Sequence, residues 1–278
     1  MARNGEVVRL AAIADIHYSR TSQGVLQPLF AQIAASADVL AICGDLTDYG
    51  LPEEARALAK ELTAVVKIPI VAVLGNHDYE SGQVDDVKQI FIDAGVIVLD
   101  GDSREVCGVG FAGIKGFAGG FGRGALGPWG EPAIKSFVHE AIAEALKLET
   151  ALARLRSGQR IALLHYAPVR DTVEGEPLEI YPYLGSSRLE EPLSRYSVTA
   201  VFHGHAHKGC PVGKTATGIP VYNVSLALLR NSFPDRPSFR LLDIHVEPQE
   251  DEERVPAVGG TPEEVVTPSP EWKRRATD

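Results

Sequence analysis

Cysteine is scarce: the 278 residues contain three, Cys43, Cys107 and Cys210, far apart and in apolar or glycine-rich surroundings, with no CxxC pair. That excludes a disulfide framework and a zinc-thiolate site, and it predicts a reducing compartment. Long hydrophobic runs are missing as well. No apolar stretch approaches the roughly 18 residues a membrane span needs. The opening Met1-Ala-Arg-Asn-Gly-Glu lacks the apolar core and small-residue cleavage site of a secretory signal. A cytoplasmic protein with no membrane partner is the expectation. Positive charge is in deficit, with 27 Lys and Arg against 37 Asp and Glu and a net charge of -10. Such a surface repels nucleic acid and anionic lipid, so a phosphate-bearing partner must be held by a local site.

What is present is ordinary globular composition, 45% apolar and 23% charged, which excludes disorder over most of the length. Short runs rich in Val, Ile and Leu recur at Val7 to Ala14, Val39 to Cys43, Ile68 to Leu74 and Val96 to Leu99. Between them, Pro28 to Ala37, Pro52 to Val66 and Gln83 to Ala94 have helical spacing, the first two opening on proline. This β-α-β-α rhythm predicts an α/β sheet with buried strands. From Gly101 to Gly130 eleven residues are glycine, which predicts a strand pair followed by a long irregular loop. A helix over about Pro132 to Leu155 follows, then strands at Ile161 to Leu164, Val198 to Phe202, Ile219 to Val224 and Phe239 to Val246. Residues 1–246 thus form one domain. Residues 247–278 carry nine acids, four bases, five prolines and one aromatic, and they are expected to be a disordered acidic tail.

The strands end in residues that an apolar core does not select. They run into Asp15-Ile16-His17, Gly44-Asp45-Leu46-Thr47-Asp48, Gly75-Asn76-His77-Asp78, His165 and His203-Gly204-His205-Ala206-His207. Open α/β sheets place ligand sites at the carboxyl ends of their strands. Besides His203 at the last strand end, five of the eight histidines, His17, His77, His165, His205 and His207, fall in these blocks. Carboxylates and neutral imidazoles without thiolates suit first-row metals such as Mn, Fe, Zn or Co, and less well Mg. Asp15, His17, Asp45, Asn76, His165, His205 and His207 are more donors than one ion takes, so two metals sharing a carboxylate fit better.

In order and spacing, these five blocks resemble the signature of the calcineurin-like metallophosphoesterase superfamily, nearest to its bacterial cyclic-nucleotide-phosphodiesterase-like branch. The resemblance implies a four-layer α/β/β/α sandwich with two mixed sheets. It implies one metal on Asp15, His17 and His207, a second on Asn76, His165 and His205, and Asp45 bridging them. The pair would be divalent or mixed-valence, with a bridging hydroxide as nucleophile in an in-line attack on phosphorus. His77 is left without a metal and would protonate the leaving group or stabilise phosphate charge, with Asp48 matching the family carboxylate that orients it. A small phosphodiester, such as a cyclic nucleotide, is the first choice of substrate. A phosphomonoesterase acting on a nucleotide, sugar phosphate or phosphoprotein is the enzymatic alternative. A silent metal-binding scaffold is disfavoured because every ligand block and His77 are intact.

Outside the blocks the reading is plainer. His139 and His245 read as solvated or structural, while His203 is either packing or a hydrogen-bond partner behind the ligands. Gly108-Val-Gly110-Phe-Ala-Gly113 matches a dinucleotide fingerprint but leads into more glycine instead of a helix, so that reading fails. Two long connections are expected to rim the site: the glycine-rich loop with Phe117, Phe121, Arg123 and Trp129, and Pro168 to Pro192 with Arg170, Tyr181, Tyr183 and Arg188. Arg170, Arg188 and Arg20, the last in Tyr18 to Arg20, are candidate substrate contacts, set against plain packing and solvation.

Overall fold

The computed structural model describes residues 6–246. The expected acidic tail, 247–278, lies outside the described residues. In chain order the first layers are β1 (Glu6–Ile13), α1 (Gln27–Ser36), β2 (Val39–Cys43), α2 (Pro52–Val65), β3 (Ile70–Val73), α3 (Val84–Asp93) and β4 (Ile97–Val98). A hairpin of β5 (Asp102–Val106) and β6 (Val109–Gly113) leads through the glycine-rich loop to α4 (Pro132–Arg154) and β7 (Gln159–Leu163). Next come α5 (Tyr181–Leu184), α6 (Glu190–Arg195), β8 (Ala200–His203), β9 (Val212–Lys214), β10 (Pro220–Asn223), α7 (Leu226–Ser232) and β11 (Arg240–Val246).

Two mixed sheets result. One has the order β11-β1-β2-β3-β4 and the other β5-β6-β7-β8-β10-β9. Strands β1 to β4 run parallel, with β11 antiparallel on the edge. In the second sheet β6, β7, β8 and β10 are parallel, between the antiparallel edge strands β5 and β9.

Alternation along each strand explains the layering, since successive side chains point to opposite faces. Leu10, Ala12 and Ala14 of the first sheet share a core with Phe111, Leu163 and Phe202 of the second. Ala11 and Ile13 point the other way, into a core that Phe30, Leu58 and Phe91 complete from α1, α2 and α3. On the outer face of the second sheet Ala162 and Val201 meet Leu148 and Leu152 of α4 and Leu193 of α6. This is the expected α/β/β/α sandwich. Helix α2 shows the local logic: Pro52 opens it, Glu53 and Glu54 sit in its first turn, and Glu54 Oε2 accepts from the Tyr49 amide at 2.9 Å. The discarded dinucleotide fingerprint covers the turn into β6 and β6 itself, with no helix at its end. Among the described residues no helix is long and apolar enough to cross a membrane.

Candidate metal centre

Because β1, β2 and β3 are mutually parallel, as are β7 and β8, each sheet delivers its strand ends along a single edge. The connections then cross-link. The Asp15 amide donates to the Gly44 carbonyl at 3.0 Å, and the His17 amide to the Asp45 carbonyl at 2.9 Å. Between the sheets, the His205 amide donates to both Asp15 carboxylate oxygens at 3.0 Å. His165 Nδ1–H donates to the Cys43 carbonyl at 3.0 Å. That bond fixes the ring so that Nε2 faces Asn76 Oδ1 at 2.8 Å and Asp45 Oδ2 at 3.4 Å.

The backbone is bent sharply here. Asp15, His17, Asp45 and His205 all have positive φ, 57°, 46°, 50° and 70°. A residue with a side chain rarely adopts that region, at a cost of about 1–3 kcal/mol each, and such residues cluster at functional sites. Two glycines make the geometry possible. At Gly44, φ is 87° and a Cβ would strike the His165 ring; at Gly75 it would strike the carboxylate and amide of Asp45.

Three groups of donor atoms converge: Asp15, His17 and His207; His17, Asp45 and His77; and Asp45, His165 and His205. The Asp45 Oδ2 atom lies 3.7 Å from His17 Nε2 and 3.4 Å from His165 Nε2, between the outer two groups. Both ring nitrogens of His17 are buried without a hydrogen-bond partner. An imidazole with neither nitrogen satisfied is costly unless something else binds it, and a metal ion fits that need and this all-oxygen-and-nitrogen donor set.

The titration behaviour follows from crowding. Burial disfavours charge on Asp15, but the His207 hydrogen bond and the nearby His165 outweigh it and hold the carboxyl well below its usual range. Burial opposes protonation of His165 too, yet Asp45 and Asp15 push it up to about 9. For His205 and His203 burial prevails and both fall to about 4, with the charge of His165 adding to the effect. Burial likewise lowers His17, whereas the Asp15 hydrogen bond raises His207.

The Asp48 relation differs from expectation. His77 Nδ1–H donates to the Asp48 backbone carbonyl at 2.7 Å, while the carboxylate lies 3.5 Å from His17 Nδ1. Asp48 N is tied to the Tyr18 carbonyl at 3.1 Å, so the peptide is held facing His77 and the side chain is drawn to the unpaired His17. The carboxylate that organises this corner is Asp78, fully buried, which sequence reasoning passed over. It accepts from the Gly75 amide at 2.8 Å, the Thr47 amide at 2.9 Å and hydroxyl at 2.6 Å, and the Leu46 amide at 3.2 Å. Burial and the charge of Asp45 raise it to about 6 despite these donors. Its place beside His77 in the GNHD block was the available signal.

Of the remaining candidates, Tyr18 is a core residue that donates to Glu61 Oε2 at 2.7 Å, and Arg20 is exposed. Arg188 donates to the Leu126 carbonyl at 2.9 Å and so ties the two rim segments together. Arg170 pairs with Glu174 at 4.0 Å, stands 5.7 Å from the Tyr181 ring, and lines a cavity of about 650 Å³ with Arg123, Lys214, Asp171 and Glu190. His139 and His245 are exposed as expected. His203 is fully buried: Nδ1–H donates to the Gly204 carbonyl at 2.8 Å, and Nε2 accepts from the Thr172 hydroxyl at 2.7 Å. It joins the Gly204–His207 turn to the rim, as does Asn223, whose amide donates to the Ala206 carbonyl at 2.7 Å.

No curated protein matches the chain significantly. Among solved structures it is similar to phosphopantetheinyl hydrolase from Mycobacterium tuberculosis, at TM-score 0.61 and 16% identity over 84% of this chain and 95% of that one. It is also similar to TT1561 of Thermus thermophilus, at TM-score 0.51 and 15% identity over 87% and 100%. These likenesses bear on the fold, two mixed sheets flanked by helices. The family model for calcineurin-like phosphoesterases matches residues 8–209, a span that contains all five strand-end blocks. The chain therefore belongs to the calcineurin-like phosphoesterase family.

Proposed function

We propose that the protein is a metal-dependent phosphodiesterase working at a dinuclear centre. Metal-dependent phosphoester hydrolysis is the chemistry of its family; the diester preference and the pair of metals are the added reading. Asp15, His17 and His207 would hold one ion and Asn76, His165 and His205 the other, with Asp45 shared. When bound, such a pair of Mn, Fe, Zn or Co ions supplies Lewis acidity and an acidified water. The observation that carries the reading is the position of Asp45, whose Oδ2 lies within 3.7 Å of one imidazole from each donor group.

The chain's own groups supply the rest. His77 is fixed through Nδ1–H, which leaves Nε2 to hand a proton to the leaving alkoxide or to bond a phosphate oxygen. The His17 and His77 rings meet edge to face at 4.5 Å, so His77 borders the ligand cluster. A small diester such as a cyclic nucleotide is the proposed substrate. Phosphomonoester hydrolysis is the second reading, since the same oxygen-and-nitrogen donor set would serve it equally.

The test is hydrolysis of bis(p-nitrophenyl) phosphate against p-nitrophenyl phosphate by stripped protein resupplied with Mn, Fe, Zn, Co or Mg, with Asp45→Ala and His77→Ala alongside. Faster diester turnover that depends on metal and collapses in both variants supports the proposal. Monoester preference transfers it to the second reading. Folded protein without turnover under any metal overturns both.

A further inference from the structure

One more strand end faces this edge and has no part in the chemistry above. Lys115 lies two residues beyond β6, and its carbonyl accepts from the amides of His165 at 2.9 Å and Tyr166 at 3.1 Å. Its ammonium stands over three rings: Phe117 at 4.9 Å, Tyr79 at 5.4 Å and Tyr166 at 5.4 Å. Two of these directly follow the site's own blocks, Tyr79 after His77-Asp78 and Tyr166 after His165. The Tyr166 ring lies 4.5 Å from that of His205 and 5.5 Å from that of His165. The cage shares a wall with the metal centre, and Tyr166 touches both, which sets the amine just outside the circle of ligands.

Ring faces attract a cation but accept no conventional hydrogen bond, and an ammonium has three donors. Lys115 spends one of them, on the Gly116 carbonyl at 2.8 Å. Among the described residues it has no carboxylate within 4.0 Å. Glu144, the buried acid nearby, is already engaged: Oε1 with Lys147 Nζ at 2.7 Å and Oε2 with the Gly116 amide at 2.7 Å. Glu144, Glu140 and Asp100 act on the ammonium from beyond ion-pair distance, so a partly buried cation with two donors unspent and no direct ion pair has room for an anion from outside the chain.

We infer that Lys115 is a substrate-binding residue, which takes a second phosphate of the substrate, set apart from the scissile ester and approached along the Tyr79, Phe117 and Tyr166 rings. This rests on the phosphoester-hydrolase reading and narrows it to esters that carry a further phosphate. The placement outside the ligand circle favours a remote phosphate over the reacting one. No bond changes at Lys115; it contributes charge and two hydrogen bonds.

The experiment compares thymidine 5′-(p-nitrophenyl phosphate) with the same ester bearing a 3′-phosphate, on metal-loaded wild type, Lys115→Met and Lys115→Arg. A charge-assisted hydrogen bond sets the scale at about tenfold. Wild type is expected to prefer the 3′-phosphorylated ester in kcat/KM, chiefly through a lower KM. Lys115→Met should cut that preference about tenfold and Lys115→Arg should restore most of it. Absence of a preference in wild type, or an equal preference in Lys115→Met, overturns the inference. Failure to cleave either ester with any metal overturns the hydrolase reading alone. Calorimetry of metal-free protein with thymidine 3′,5′-bisphosphate then decides: about tenfold weaker binding by Lys115→Met supports the inference and equal binding ends it. Should the Met variant not fold, Lys115→Gln carries the same comparisons.

Discussion

Asp78 offers a sharp test of how the site is held together. Replacing it with Ala removes the acceptor for three buried backbone amides, Leu46, Thr47 and Gly75, and for the Thr47 hydroxyl. Each buried donor left unpaired costs about 1–3 kcal/mol. The smaller side chain leaves room for water to recover part of that, so a net loss of about 3–5 kcal/mol is expected, a large share of an ordinary domain's stability. Asp78→Asn keeps the oxygen that serves Thr47 but turns an NH₂ toward Gly75 and Leu46, at a cost of about 2–3 kcal/mol. Thr47→Val removes one hydroxyl donor and should cost about 1 kcal/mol. Urea unfolding in EDTA reads the series, with calorimetric metal titration alongside. Since these amides neighbour Asp45 and Asn76 in sequence, metal affinity should fall in the same rank order. Unfolding energies for Asp78→Ala and Asp78→Asn within about 1 kcal/mol of wild type, with metal binding unchanged, would refute the argument that this carboxylate pins two ligand turns together.

Three other outcomes follow from the geometry. His77→Ala should lower kcat for the generic diester by about 10²-fold while bound metal, measured by elemental analysis, stays constant, as expected for a proton donor beside the ligands. Gly44→Ala forces a Cβ into the His165 ring at a φ of 87°; we expect a loss of about 2–4 kcal/mol in urea unfolding and weakened metal binding, and Gly44→Asn should be no milder if the clash governs. Tyr18→Phe strips a buried hydrogen bond from Glu61, whose Oε1 is already unpaired. It should cost about 1–2 kcal/mol without changing ester KM, whereas a rise in KM would return Tyr18 to the substrate contacts.

The blocks were legible because strand ends carry polar residues where burial otherwise selects Val, Ile and Leu, and the Pro-opened helices α1, α2 and α4 were legible from periodicity. Strand β9 was not: three residues, Val212–Lys214, offer no alternation to read. Helix α7 begins shortly after β10, and its seven residues, Leu226–Ser232, are too short a run for periodicity to declare a helix. In Pro168 to Pro192 the short helical turns are held by tertiary bonds such as Ser186 N to the Ala167 carbonyl at 3.0 Å, which no local pattern announces. The resemblance set the Asp48 carboxylate beside His77, where the backbone carbonyl makes the contact. Spacing shows that a residue is near; it does not tell whether backbone or side chain makes the contact.

The proposed ligands divide between the sheets in a way that reaches beyond catalysis. Asp15, His17, Asp45 and Asn76 hang from the first sheet, and His165, His205 and His207 from the second, with about ninety residues of chain between Asn76 and His165. An ion coordinated from both sides acts as a reversible staple between two distant stretches of the chain, much as a disulfide does. Its stabilisation rises with the logarithm of free metal, about 2.7 kcal/mol at a hundredfold excess over Kd. Metal supply in the cell would then govern how long the two halves stay clasped, and with that the lifetime of the protein as well as its turnover.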